Sequence, residues 1–181
     1  FGHKGFRVSL IGAVAILLSP SLWAALGASV TLSTGSPGNI YPGQTSEIEI
    51  TLSNSNSAAS ITGVAFSNLL PGTLPNGLKV AGAASYSCVD PSGPTVIAGS
   101  GTLTAALGTQ TISLSGGVIP ARSGSTDGSC SIRIPVTAGS SSGNARTDAY
   151  QIAAGAVTGN DGAPVSNAGT VSQSLNILGL A

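Results

Sequence analysis

The chain has 181 residues, of which 41% are hydrophobic and 7% charged, with a formal net charge of zero. That balance excludes the basic footprint of a nucleic-acid binder and the polybasic patch of a protein held on anionic lipid. It also excludes the apolar-poor, highly charged composition of a disordered chain, and a Ser-, Thr- and Gly-rich sequence without methionine suits an extracellular β-protein.

Residues 1–27 read as a secretory signal peptide. Lys4 and Arg7 supply positive charge, residues 8–18 form an apolar run, Ser19-Pro20 breaks it, and Ala25-Leu26-Gly27 offers a small-x-small cleavage site. The run is shorter than the ~20 residues needed to cross a bilayer. A type IV pilin leader wants Glu where this chain has Leu10. The expectation is a hydrophobic signal segment over 1–27, helical where it folds, followed by one domain over 28–181 with no membrane span in the mature chain. Cleavage removes His3 and Trp23, the single histidine and the single tryptophan. It leaves Lys79, Arg122, Arg133 and Arg146 against Glu47, Glu49, Asp90, Asp127, Asp148 and Asp161.

Beyond the leader the pattern is strand, turn, strand. Residues 29–33 alternate, and 35–43 form a turn-rich connector with Pro37 and Pro42. Residues 47–52 give the cleanest period of two, with Ile48, Ile50 and Leu52 on one face and Glu47, Glu49 and Thr51 on the other. Asn54 to Ser57 reads as a polar turn. Strands are expected at 61–66, 78–80 and 86–88, then at 101–105 and 111–115 as a pair joined around Gly108. Gly116-Gly117 reads as a turn into Val118-Ile119. Strands follow at 130–136, 150–152 and 155–157, with Asn160-Asp161-Gly162 as a turn and a last strand at 171–178. Short strands spaced by about 8–12 residues point to an all-β sandwich or barrel. One polar face per strand favours the antiparallel sandwich.

Cys88 and Cys130 both lie in the mature part. Outside the cytoplasm an even count points to a disulfide, and Cys130 shares its face with Ile132, Ile134 and Val136, which aims it at the core. The pair has too few ligands for a zinc site and lacks the close spacing of a redox motif.

Reactive chemistry is sparse. A triad needs an imidazole base, and the mature chain has none. Paired carboxylates could hydrolyse a glycoside, but Glu47 and Glu49 share a polar strand face that reads as solvated. Asp161 has Asn160 and Asn167 near it in sequence, yet no calcium-loop pattern is present. Asp90-Pro91 and Asp127-Gly128 are turn chemistry. The aromatics left are Tyr41, Tyr86, Tyr150 and Phe66, with Phe66 and Tyr150 expected in the core. The Gly-rich stretches lack the Lys-Ser/Thr of a phosphate loop. No catalytic, cofactor-binding or metal-binding residue is expected.

Several segments resemble a family of conserved repeat domains in bacterial secreted and surface proteins. Tyr41-Pro42-Gly43-Gln44-Thr45-Ser46 with Ile48, Ile50, Leu52 and Asn54 is similar to its opening, and Val64 to Pro71 to its next segment, with Asn68 where Asp is usual. Cys88, Ser113 to Ala121 and Gly128 to Ile132 resemble its centre. Gly143 to Gly155 resembles a later motif, with Asp148 where Asn is usual, and Gln173 to Ile177 the closing strand. The resemblance implies an immunoglobulin-like fold and a structural or adhesive role: a stalk, spacer or adhesin unit at the cell surface, with no catalytic residues to carry over. Its expected partners are neighbouring domains of the same protein or other surface proteins, not nucleic acid. The alternatives are a self-assembling, pilus-like homopolymer that donates residues 29–33 to a neighbour, and a carboxylate-based hydrolase.

Overall fold

The computed structural model describes residues 26–93, 96–139 and 144–179, so positions 1–25 of the expected leader lie outside the described residues. Among the described residues there are fourteen strands and no helix. In chain order they are β1 (Leu26–Leu32), β2 (Asn39–Ile40), β3 (Thr45–Asn54), β4 (Ile61–Leu69), β5 (Leu78–Val80), β6 (Ser85–Val89) and β7 (Val96–Ala98). Then come β8 (Thr102–Thr104), β9 (Thr111–Ile119), β10 (Gly128–Ala138), β11 (Arg146–Ile152), β12 (Thr158–Asn160), β13 (Pro164–Ser166) and β14 (Val171–Ile177).

The first layer runs β1-β3-β10-β6-β7, with β5 also on β10. Its centre follows from period-two patterning. Ile48, Ile50 and Leu52 of β3 face Ile134, Ile132 and Cys130 of β10 across an antiparallel ladder, and all six are at most 1% exposed. The second layer holds β11-β14-β2 and β13-β12-β4-β9-β8. Asn68 of β4 joins these two groups through its side chain, which donates to the Gln151 carbonyl of β11. Ile61, Val64, Phe66, Ile112, Leu114, Tyr150, Ile152, Leu175 and Ile177 meet the first layer in a single buried cluster. Each such side chain contributes about 1.5–3 kcal/mol relative to exposure.

Glycine-rich segments and the chain's entry differ from the sequence pattern. β9 runs straight through Gly116-Gly117, where a turn is expected. Gly116 takes φ of 68° and the β4–β9 register shifts there, so the glycines absorb a bulge instead of ending the strand. Residues 155–157 are not a strand: Ala156 N–H closes a turn on the Ala153 carbonyl at 3.1 Å, with Gly155 at φ of 76°, and the strand lies just after it as β12, in a hairpin with β13. β1 begins at Leu26, inside the expected leader; Leu26 pairs with Asn54 and is 1% exposed.

The register also fixes where the chain enters and leaves. Leu26 opens β1 beside Asn54, which in turn faces Gly128. At the opposite end Ile177 closes β14 beside Arg146 and Ile40. Arg146 reaches the Asn76 carbonyl, and Gly43 N–H donates to the Ala138 carbonyl at 3.1 Å, so these loops share that far end.

Candidate functional site

Cys88 of β6 and Cys130 of β10 are direct cross-strand partners joined by a disulfide, with Cα atoms 3.9 Å apart. Both are 1% exposed. The bridge is an interior fastening, set back from solvent.

The acidic pair sits on the outer face of the first layer. Glu47 lies opposite Pro135, and Glu49 lies between Thr31 and Arg133. Glu49 accepts from the Ser131 hydroxyl and pairs with Arg133 at 3.3 Å. Opposite these residues the ladders place Pro135 and Arg133, not a further carboxylate. Arg133 has half its side chain in solvent, and such a pair contributes about 0–1 kcal/mol. Asp161 accepts from Asn56 Nδ2 at 3.0 Å, and Asn160 Oδ1 accepts from Gly162 N–H, which makes this cluster a turn lock between 54–57 and 160–163. Asp90 does the same for its own turn: the Ser92 hydroxyl and then the Ser92 N–H hold its carboxyl below the usual range. Among the described residues no group of three or more His, Cys, Asp or Glu converges on a metal position. No described helix is long and apolar enough to cross a membrane.

Arg146 and Asp148 are the polar pair the periodicity did not reveal. Both point inward from β11, paired at 3.0 Å, with Asp148 buried. Arg146 also donates to the Asn76 carbonyl, tying β11 to the 70–77 loop. Beside them is an open hollow of about 280 Å³ lined by Asn39, Arg146, Thr147 and Asn176. A side-chain ladder crosses it, from Thr147 Oγ1 to Asn176 Oδ1 and from Asn176 Nδ2 to Asn39 Oδ1, each 2.8 Å. Gln110 is a second unforeseen fastener. Its amide nitrogen lies within 3.5 Å of the Leu70, Pro71, Gly72 and Leu78 carbonyls and holds that loop shut. Nothing in the sequence signals that role.

Phe66 and Tyr150 are in the core, Tyr86 is half-buried and Tyr41 is exposed. Burial pushes the Tyr150 phenol well up from its ordinary 10.0, opposed by Asn68 beside it. Among the described residues its hydroxyl makes no hydrogen bond of good geometry, because the Asn68 amide beside it is engaged with the Gln151 carbonyl and Leu69 N–H. Tyr150→Phe is therefore expected to stabilise the fold by about 1 kcal/mol, because an unpaired buried hydroxyl is removed. Below the ordinary value both states hold the phenol neutral and it adds no pH dependence; as pH climbs past 10.0 the unfolded chain ionises while the buried phenol does not, and the folded state loses stability. Base titration followed by circular dichroism should show the Tyr150→Phe variant unfolding at higher pH than the parent.

The sequence matches the model of a domain of unknown function, DUF7933, over residues 34–177. No curated protein matches it in sequence. Among solved structures it is similar to the cohesin module of a family 33 glycoside hydrolase from Clostridium perfringens. That match has a TM-score of 0.51 at 9% identity and covers 84% of this chain and 97% of that one. BcpA, the major pilin subunit of Bacillus cereus, gives 0.49 at 7% identity over 85% of this chain and 39% of that one. The collagen-binding domain of a Staphylococcus aureus adhesin gives 0.44 at 13% identity, over 81% and 95%. At these identities the likeness speaks to fold alone. The match to nearly the whole sandwich makes the chain a member of the DUF7933 family, built on an immunoglobulin-like β-sandwich.

Proposed function

We propose that this domain is a non-enzymatic structural module of a bacterial cell-surface or secreted protein, working outside the cytoplasm as a stalk, spacer or adhesive unit. The export signal in this reading ends before Leu26 rather than at 27, because Leu26 and Gly27 are paired in β1. The observation that carries it is the opposed placement of chain entry and exit, Leu26 at the Asn54 end and Ile177 at the Arg146 end. A module entered at one end and left at the other extends a chain instead of folding it back. The buried disulfide suits an oxidising compartment, and Glu49 is engaged by Arg133 and Ser131 on the outer face. Strand donation has less support, because residues 29–32 of the segment it would donate are already paired with β3.

The test is two copies of the domain joined in tandem and measured by small-angle X-ray scattering. With β10 at 11 residues, the maximum dimension should grow by about 36 Å per added copy at ~3.3 Å per residue. Side-by-side packing with little growth would overturn the spacer reading.

A further inference from the structure

We infer that the sandwich is built to carry tension along its long axis, with β1 and β14 as two shear clamps and the Cys88–Cys130 bridge as a stop on extension. The inference rests on the spacer reading and adds a mechanical function to it. Tension on such a module enters through Leu26, directed outward from the Asn54 end, and leaves through Ile177, directed outward from the Arg146 end. Each pull runs along its own strand. β1 would have to slide past β3, so the ladder over all seven paired positions is loaded together. β14 would have to slide past β11, again over seven positions.

The C-terminal clamp is reinforced where force enters. β2 lies parallel to the last residues of β14. Asn176 N–H donates to the Gly38 carbonyl at 2.9 Å and Leu178 N–H to the Ile40 carbonyl at 2.8 Å. The Thr147–Asn176–Asn39 side-chain ladder crosses the same three strands. Buried side chains add a second resistance to sliding: Leu26 and Val30 on β1, Leu175 and Ile177 on β14. Each has to leave its place in a close-packed core before its strand can advance.

The disulfide then decides how far the chain extends once a clamp fails. It links positions 42 apart, and β7, β8 and β9 lie between them. Tension passing along the backbone crosses the bridge and bypasses those strands. The hidden length of 42 residues is about 150 Å of extended chain at ~3.5 Å per residue.

Single-molecule pulling tests this on the chain from Leu26 onward, which carries every core residue among the described residues. One geometry attaches handles at the two termini. The other attaches them at the N-terminus and at Ser55→Cys, an exposed position next to Asn54, so that β1 unzips from β3 one pair at a time. The two-terminus geometry is expected to unfold at several-fold higher force. After that event, dithiothreitol should release one further step of about 150 Å at ~3.5 Å per residue. Equal forces in the two geometries would overturn the shear clamps while leaving the spacer reading to its tandem-copy measurement. An absent second step would overturn the stop. High force from a tandem pair that packs side by side would instead remove the spacer reading alone.

Discussion

Replacing Cys88 and Cys130 together by alanine is expected to lower the unfolding free energy by about 4 kcal/mol on the chain-entropy model. The closed segment spans 42 positions, and freeing it lets the denatured chain explore conformations the bridge forbids. Native stabilities are about 5–15 kcal/mol, so the loss removes a large part of the margin. Topology adds to the argument. The bridge joins neighbouring strands β6 and β10 of one layer, but the segment it closes passes through β8 and β9 of the other. The unfolded oxidised chain therefore keeps both layers tethered. Both cysteines are also 1% exposed, so alanine leaves small voids where sulfur packed. Guanidinium unfolding should show a lower midpoint for the double variant and a steeper dependence on denaturant, since its denatured state exposes more surface. An unchanged midpoint would mean that the ladder between β6 and β10, not the bridge, holds this part of the sheet.

The parts of the fold legible in the sequence are those where one face of a strand is wholly apolar. Ile48, Ile50 and Leu52 announce β3, and Cys130, Ile132, Ile134 and Val136 announce β10, because burial on one side imposes a period of two. The same rule hides β11's beginning. Its inward positions are Arg146, Asp148, Tyr150 and Ile152, and the first two are charged, so periodicity starts the strand at Tyr150. Their mutual ion pair makes inward charge tolerable, and that partner is visible only in three dimensions. β7 and β13 hold three residues each, too few to display a period. The outward acids were readable as a polar face, but Arg133 as Glu49's partner depends on the β3–β10 register. Gly116-Gly117 was readable as a break in regular structure; a bulge and a turn ask the same freedom of a glycine, and the long ladder between β4 and β9 decides for the bulge.

Asn54 carries the second large effect, and its polarity disguises it. The polar run from Asn54 to Ser57 reads as a turn, yet Asn54 is the last inward position of β3 and is 0% exposed. Its amide nitrogen donates to the Ala59 carbonyl at 2.9 Å and the Pro120 carbonyl at 3.0 Å, while its oxygen accepts from Asn56 N–H at 2.8 Å. Gly128 makes room for this: a Cβ there would lie 1.9 Å from the Pro120 oxygen. Asn54→Ala should cost about 3 kcal/mol, since two partly buried carbonyls and an N–H lose their partner at once. Asn54→Asp separates this account from simple loss of packing. The aspartate keeps the shape and the acceptor for Asn56 N–H but turns an oxygen toward two carbonyls. Its carboxyl pKa in the folded state must rise, so the folded variant binds a proton the unfolded chain has released. The variant is therefore weakest at neutral pH and regains stability as pH falls toward about 4, where the protonated acid can donate one bond. Denaturant midpoints at pH about 7 and about 4, compared with the parent at each, should show this recovery for Asn54→Asp and none for Asn54→Ala. Parallel behaviour of the two variants would mean that the cost lies in packing and not in the carbonyls that Asn54 holds.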